Sequence, residues 1–253
     1  MLNLESCLSR QRRVVLLFSG GLDSGLLLAL GCRVLGSELI ALTYRGPHIP
    51  PGELAAAWQL ARRFQVRHLI YEFDPLQLAD FRGNSPQRCY ACKKAIIARG
   101  WEVARSEGAE ALWDATNVDD LNDFRPGLKA ARELEVVSPF LELGWGKRDI
   151  REQSRRLGLD WQKPPQSCLA TRFPYHTDLT REDLARVGEA EAWLRARGFT
   201  QVRLRVQGDQ TRLELLPEEW PLFLKPEVHR PFLTRVSRLG WRAPALDLVG
   251  GGG

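Results

Sequence analysis

The sequence predicts an α/β protein built on a doubly wound parallel sheet, followed by a second, smaller α+β domain. Short apolar runs alternate with longer amphipathic segments over residues 14–138, which is the βαβ rhythm of a parallel sheet. An irregular, proline-containing stretch over residues 160–180 interrupts this rhythm. Beyond it the pattern changes to one helix and a pair of alternating strands. We therefore divide the 253 residues into domains at 1–159 and 160–253.

The elements of the first domain follow from its apolar pattern and its glycine and proline positions. The helices have proline near several starts and glycine just after several ends, and right-handed crossovers between parallel strands would place them on both faces of the sheet. The predicted strands are Val14–Phe18, Leu39–Tyr44, His68–Phe73, Ala111–Ala115 and Val136–Ser138. The predicted helices are Ser24–Leu35, Gly52–Phe64, Tyr90–Glu107 and Pro126–Leu134.

The second domain opens with the loop "DWQKPPQSCLATRFPYHTDLT", residues 160–180, and loops of this length commonly serve a functional site. A helix is predicted over Arg181–Arg197. In "QVRLRVQGDQTRLELL", residues 201–216, Val202, Leu204 and Val206 alternate with polar residues, which predicts a hairpin. The ending "ALDLVGGGG" predicts a last strand followed by flexible glycines.

The composition is that of a soluble globular protein, with 44% hydrophobic and 26% charged residues. The apolar runs are shorter than the roughly 18 residues that span a membrane, and the N-terminus lacks the pattern of a secretory signal. We therefore expect a cytoplasmic protein with no membrane partner. In that compartment the five cysteines are expected to be thiols, metal ligands or nucleophiles rather than disulfides. The net charge of +5 permits an anionic substrate or nucleic acid without requiring either.

The segment "FSGGLDS" places small polar residues between a predicted strand and a predicted helix. Its glycines let backbone N–H groups approach an anion closely, and the helix N-terminus is the positive end of a dipole. The loop has neither the lysine of a Walker A loop nor the GxGxxG spacing of a dinucleotide-binding turn. An ordinary strand-to-helix turn with a capping side chain is the alternative. We predict a different phosphate-binding loop, formed by Ser19, Gly20, Gly21, Asp23 and Ser24.

Three cysteines have settings that suggest chemistry. Cys89 and Cys92 form the CxxC of "RCYACKK" at a predicted helix start, where the dipole and the adjacent basic residues favour thiolates. Cys168 lies in the long loop between Lys163 and Arg172, which predicts a nucleophilic thiolate, with a buried inert cysteine as the alternative. Two thiolates do not complete a structural zinc site, whereas three suit an iron–sulfur cluster with one open iron.

Several motifs, in the same order, resemble the LarE family of ATP-dependent sulfur transferases. They are "FSGGLDSGLLL", "NSPQRCYACK", "DATNVDDLNDFRPGLKAARELEVVSPF" and "CLATRFPY", and the likeness covers roughly residues 13–215. The resemblance implies a pyrophosphate-loop protein with an adenine nucleotide alpha hydrolase-like fold. It also implies that ATP is bound with Mg²⁺ and that the protein helps to build the nickel-pincer nucleotide cofactor of lactate racemase.

The resemblance further implies a reaction. A carboxylate of pyridinium-3,5-biscarboxylic acid mononucleotide would be adenylylated, and a thiolate would then displace AMP. Cys168 matches the family's sulfur-carrying cysteine, which in some members is sacrificed and left as dehydroalanine. In other members three cysteines hold a [4Fe–4S] cluster, and Cys89, Cys92 and Cys168 match that pattern as metal ligands. Both routes for the sulfur stay open at this point.

Further residues are assigned by the same resemblance. Thr116 and Asn117 join the ATP site, and Asp119, Asp120 and Arg125 lie in the adjoining loop. The resemblance assigns three arginines to the substrate, because a guanidinium fork suits a phosphate, although an exposed strand face would also explain two of them. These arginines are Arg172, Arg203 and Arg205.

Two glutamates also match the family. Glu191 and Glu214 correspond to acidic residues that can meet a divalent ion, but each also fits an ordinary exposed position. We therefore leave both out of the predicted metal ligands.

A tRNA thiolase with a pyrophosphate loop and a three-cysteine iron–sulfur cluster is the alternative function. The positive net charge would suit RNA, but such enzymes typically carry a lysine where this loop has Leu22. They also often add zinc-binding cysteine pairs or an RNA-binding domain. We therefore expect a small-molecule nucleotide substrate rather than nucleic acid. We also expect a homo-oligomer that contacts other proteins of nickel-pincer biosynthesis transiently.

Overall fold

The computed structural model describes residues 4–122 and 126–248, and it divides this part of the chain into two compact units. Of the described residues, the first unit contains those up to Gly46 together with Gly52–Phe81 and Gln87–Pro165. The second contains Pro47–Pro51, Arg82–Pro86 and the residues from Gln166 onward. Arg125, assigned above to the loop beside the ATP site, and the terminal glycines lie outside the described residues.

The sheet of the first unit has four parallel strands in the order β3-β2-β1-β4, which confirms the predicted fold class. Val14 of β1 pairs with Leu39 of β2 on one side and with Ala111 of β4 on the other. The fifth predicted strand contributes a single bridge, between Val137 and Trp113, because Pro139 starts a short helix two residues later. The strands are β1 (Val14–Leu17), β2 (Leu39–Arg45), β3 (Arg67–Glu72) and β4 (Ala111–Trp113).

Helices cover both faces of this sheet. Val14 and Leu16 belong to one buried cluster with residues of α2, α3 and α8, whereas Val15 belongs to a second cluster with residues of α5 and α6. Successive residues of a strand point to opposite faces, so an unbroken apolar strand such as β1 requires a layer on each side. The helices of this part of the chain are α1 (Leu4–Leu8), α2 (Leu22–Leu35), α3 (Glu53–Arg63), α4 (Ala79–Arg82), α5 (Arg88–Ser106), α6 (Pro126–Glu133), α7 (Pro139–Glu142) and α8 (Lys147–Arg156).

The second unit is a small α+β arrangement, as the pattern predicted. Strands β5 (Arg203–Gln207) and β6 (Gln210–Glu214) form an antiparallel hairpin closed by Gly208 and Asp209, and β7 (Ala245–Leu246) pairs with β6 in parallel. The helices are α9 (Arg181–Arg195), α10 (Trp220–Phe223) and α11 (Pro226–Arg238). None of the helices in the described part of the chain has the length and hydrophobicity that crossing a membrane needs.

Candidate active site

The loop predicted to bind phosphate lies at the point where the sheet order reverses. It joins the carboxyl end of β1 to α2, and β1 has β2 on one side and β4 on the other. In open α/β sheets ligands bind outside the carboxyl ends of the strands at this switch point. Gly21 is the N-cap residue of α2, so the first amide groups of that helix border the loop.

Internal hydrogen bonds hold this loop in shape. The hydroxyl groups of Ser19 and Ser24 lie 3.0 Å apart, and the Gly21 amide donates to Ser19 Oγ over 3.3 Å. Gly20 has a φ of +76°, and a Cβ added there would lie 2.8 Å from the backbone of Ala57 in α3. Only glycine combines this left-handed conformation with so close an approach. These hydrogen bonds and the close approach to α3 therefore fix the conformation of the loop.

Asn117 connects the loop to the end of β4. Its side chain is fully buried, and Nδ2 donates to Asp23 Oδ2 over 3.0 Å. Its backbone amide donates to Asp120 Oδ2 over 3.1 Å, and its Oδ1 accepts from the Asp119 amide over 3.0 Å. The structure thus brings Asn117 together with Asp23, two residues that the sequence assigned separately to the ATP site.

Thr116, also assigned to ATP, is tied to a buried carboxylate that the sequence reasoning missed. Asp114 accepts hydrogen bonds from the Thr116 hydroxyl at 2.9 Å, the Ser138 hydroxyl at 2.7 Å and Lys93 Nζ at 3.0 Å. Burial alone would raise the pKa of the Asp114 carboxyl, but Lys93 and these donors outweigh burial and hold the pKa below its ordinary value. The position of Asp114, just beyond β4, was the available signal for a functional or supporting carboxylate.

Cys89 and Cys92 lie in the first turns of α5, as predicted. Cys89 is exposed, whereas Cys92 is partly buried and packs against one apolar cluster of the first unit. Two of the basic residues expected to favour their thiolates have acidic partners instead: Lys93 pairs with Asp114, and Lys94 lies 3.7 Å from Glu133. The helix N-terminus still favours a thiolate at these positions, independently of the two lysines.

Cys168 belongs to the second unit, at the start of a single 3₁₀ turn over Leu169–Arg172. Its carbonyl oxygen accepts from the Thr171 amide at 3.0 Å and from the Thr171 hydroxyl at 2.7 Å. The amide of Leu169 donates to the His48 carbonyl oxygen over 2.9 Å. The backbone on the C-terminal side of this cysteine is therefore fixed, and its side chain is half-buried.

Arg172 does not flank Cys168 as an open cation. Its guanidinium is 1% exposed and forms a two-point ion pair with Glu191, with Nε–Oε1 at 2.6 Å and Nη2–Oε2 at 3.2 Å. Its Nη1 donates to the hydroxyl groups of Ser167 and Thr171, each at 2.7 Å. These two residues lie on either side of Cys168, so Arg172 positions the cysteine turn in this structure.

Arg203 and Arg205 project from β5 beside the same turn. Arg205 binds Glu214 through Nε at 2.8 Å and donates from Nη1 to the Thr171 carbonyl oxygen at 2.6 Å. Burial, together with the charges of Arg172 and Arg205, lowers the pKa of Arg203 below its ordinary value. The structure thus gathers all three predicted substrate arginines. Glu191 and Glu214 are almost completely buried among them, so the exposed positions considered for both glutamates were wrong.

Lys163 is a further residue whose place the sequence did not predict. It belongs to the first unit, and its Nζ lies 3.0 Å from the carbonyl oxygen of Gly20 and 3.2 Å from Glu53 Oε2. The sequence suggested instead that it was a neighbour of Cys168. An irregular loop has no periodicity that reveals where a side chain points, so no local signal identified this contact.

Comparisons with known proteins agree with these features. The family model described as asparagine synthase matches residues 4–99, which include the phosphate-binding loop. A pyridinium-3,5-bisthiocarboxylic acid mononucleotide synthase of Lactiplantibacillus plantarum is 34% identical over 98% of this chain and 90% of its own length. The chain belongs to the LarE family. Two uncharacterised proteins are also similar to this chain. One, from Synechocystis, is 35% identical over 98% of this chain and 93% of its own length. The other, from Methanocaldococcus jannaschii, is 31% identical over 77% of this chain and 75% of its own length.

Membership of the LarE family supports an ATP-using enzyme that takes ATP with Mg²⁺. A resident metal centre is a separate question. Among residues 4–122 and 126–248, no group of three or more His, Cys, Asp or Glu side chains is arranged to hold a metal ion. Cys89 and Cys92 belong to the first unit and Cys168 to the second. The [4Fe–4S] cluster therefore stays a prediction.

Proposed function

We propose that this protein is an ATP-dependent sulfur transferase that acts on pyridinium-3,5-biscarboxylic acid mononucleotide. The observation that carries this proposal is the 34% identity, over nearly the whole of both chains, to a synthase of the corresponding bisthiocarboxylic acid mononucleotide. A match over this length includes both the phosphate-binding loop and the Cys168 turn. It favours the small-molecule substrate over tRNA.

In the first step, a substrate carboxylate oxygen attacks the α-phosphorus of ATP. An acyl adenylate forms, and pyrophosphate leaves. We assign Ser19, Gly20, Gly21, Asp23 and Ser24 to the triphosphate, with Thr116 and Asn117 completing the ATP site. The internal hydrogen bonds of this loop and its position at the N-terminus of α2 support this assignment, because a fixed loop beside the amide groups of a helix N-terminus suits an anion.

In the second step, the Cys168 thiolate attacks the acyl carbon and AMP leaves, which gives a thioester. Adenylylation makes this displacement feasible because AMP is a far better leaving group than oxide. Loss of the Cα proton of residue 168 with cleavage of its Cβ–S bond then releases the thiocarboxylate and leaves dehydroalanine. The sulfur departs with the bonding electron pair, so no oxidant or reductant is needed.

The substrate carries a phosphate, and we assign its recognition to Arg203 and Arg205. Two glutamates meet five arginines in this region: Arg172 and Arg195 pair with Glu191, and Arg203, Arg205 and Arg212 pair with Glu214. The excess positive charge supports the binding of an anion. We assign Arg172 mainly to positioning the Cys168 turn, because its N–H groups already donate to Glu191, Ser167 and Thr171.

Replacing Cys168 tests the order of the two steps. Cys168→Ala should keep substrate-dependent pyrophosphate release and lose thiocarboxylate formation, since adenylylation comes before thiolate attack. Cys32→Ala is the matched control. Cys32 is also a half-buried thiol, but it belongs to α2 and donates a hydrogen bond to the Phe64 carbonyl oxygen. Undiminished thiocarboxylate formation by Cys168→Ala would refute the proposal.

A further inference from the structure

A lysine near the start of the long loop over residues 160–180 touches the phosphate-binding loop, and both belong to the first unit. Lys163 Nζ lies 3.0 Å from the Gly20 carbonyl oxygen and 3.2 Å from Glu53 Oε2, at the first residue of α3. The Lys163 and Glu53 side chains are 21% and 19% exposed, so the pair is largely withdrawn from water. A cation is therefore held against a loop whose own sequence, "SGGLDS", contains no basic residue.

The chemistry of this contact suits a polyphosphate. An ammonium group has three donors, and the contacts with Gly20 and Glu53 use two of them. The carbonyl of Gly20 belongs to the loop whose neighbouring amides would bind phosphate oxygens. A triphosphate in the loop brings several negative charges close to Lys163, and these can outcompete the single charge of Glu53.

We propose that Lys163 is the cationic phosphate ligand of the loop, in place of the lysine that position 22 lacks, and that Glu53 holds it ready until ATP binds. The inference rests on the proposed function, because it requires ATP in this loop. Lys163 would then favour ATP and pyrophosphate over AMP. Pyrophosphate corresponds to the β- and γ-phosphates of ATP, whereas AMP has only the α-phosphate. The competing explanation is that Lys163 and Glu53 form a purely structural ion pair.

The two explanations predict different results for the two halves of the pair. If Lys163 binds phosphate, Lys163→Gln should weaken binding of Mg·ATP and Mg·pyrophosphate about 10- to 100-fold and change AMP binding little. Glu53→Gln should leave both affinities unchanged or raise them, because it removes the competitor for the lysine. If the pair is structural, both variants should weaken binding to the same extent.

The measurement is calorimetric titration of the full chain with Mg·ATP, Mg·pyrophosphate and AMP. Lys129→Gln is the matched control, since Lys129 is 74% exposed and pairs with Glu133 on the surface of α6. Lys163→Arg keeps the charge and should retain most of the affinity, which protects the test against a Lys163→Gln variant that folds poorly. Equal losses in Lys163→Gln and Glu53→Gln, or wild-type affinity in Lys163→Gln, would overturn this inference and leave the proposed function standing. A wild-type chain that does not bind Mg·ATP would instead overturn the proposed function.

Discussion

Arg172 and Glu191 form a fully buried ion pair in the second unit, with Nε and Oε1 2.6 Å apart. Glu191 also accepts from the Leu204 amide at 2.9 Å and from Arg195 at 2.8 Å, so one carboxylate joins α9, β5 and the cysteine turn. Charges this deeply buried are tolerated because each remaining donor or acceptor has a partner. The pair therefore links the stability of the second unit to the position of Cys168.

Removing one member of this pair should destabilise the protein. Arg172→Ala leaves Glu191 buried with less positive charge and removes the donors to Ser167 and Thr171. We expect a loss of about 3–5 kcal/mol in the free energy of unfolding, measured by urea denaturation. Arg156→Ala, at the exposed pair with Glu152, should cost less than about 1 kcal/mol. Equal costs for the two variants would contradict the role given to Arg172.

A milder variant separates folding from positioning. Arg172→Lys keeps the charge but loses the fork that holds Glu191 and the two hydroxyl groups together. We expect the protein to fold, to release pyrophosphate at the wild-type rate and to transfer sulfur more slowly. Single-turnover assays of the two products measure this difference. Parallel losses of pyrophosphate release and transfer would show that Arg172 does not act on the cysteine turn specifically.

Asp114 gives the protein a defined response to acid. Its pKa lies below the ordinary carboxyl value in the folded state, so its contribution to stability is fully present above about pH 4 and is lost as the pH falls through the folded value. Asp114→Asn should cost about 3 kcal/mol at pH 7, because Lys93 loses its charged partner. Urea denaturation of both proteins between pH 7 and pH 3 should show this difference shrinking below pH 4. If the stability difference between the two proteins stayed constant down to pH 3, it would contradict a lowered Asp114 pKa.

The left-handed glycine in the phosphate-binding loop can be tested by substitution. Gly20→Ala adds a Cβ 2.8 Å from the backbone of Ala57 and should abolish Mg·ATP binding as well as destabilise the first unit. Gly36→Ala is the control, because Gly36 also has a positive φ but a Cβ there meets nothing within 4 Å. The control should cost only the conformational penalty of about 1–2 kcal/mol and keep ATP affinity. Nucleotide affinity equal to wild type in Gly20→Ala would exclude this loop as the phosphate site.

The two cysteines of α5 decide between the routes for sulfur. If Cys89, Cys92 and Cys168 hold a cluster, anaerobically purified protein should contain iron and absorb broadly in the visible range. Cys89→Ser and Cys92→Ser should each lose the iron and the absorption, whereas Cys7→Ser, at a buried thiol near Glu142, should keep both. A colourless, iron-free wild-type protein would favour the sacrificial route.

The parallel sheet and the glycine-containing loop between β1 and α2 were predictable because they depend on local patterns. Unbroken apolar strands, glycine-rich turns and helix boundaries all appear within short windows, and β1 to β4 follow them closely. By contrast, α8 was not predicted. It is strongly charged, and Ile150 and Ser154 are its only buried residues, so it lacks the apolar stripe that reveals most helices.

The buried charges of the second unit were partly predictable. Glu191 follows Leu184 and Val187 at helical spacing, which places it on the buried face of α9, and this signal was overlooked. Glu214 lies opposite Arg203 once a two-residue turn sets the hairpin register. The contact between Lys163 and Gly20 joins residues 143 positions apart through an irregular segment, and only the three-dimensional structure could reveal it.

Intact-protein mass spectrometry after a single turnover tests the central claim most directly. The full chain is incubated with Mg·ATP and the pyridinium biscarboxylate mononucleotide, without added sulfide, and the thiocarboxylate formed is quantified in the same sample. If Cys168 donates its sulfur, the protein should lose the mass of one H₂S for each thiocarboxylate made, and peptide mapping should place dehydroalanine at residue 168. Thiocarboxylate formed by a chain of unchanged mass would contradict the account.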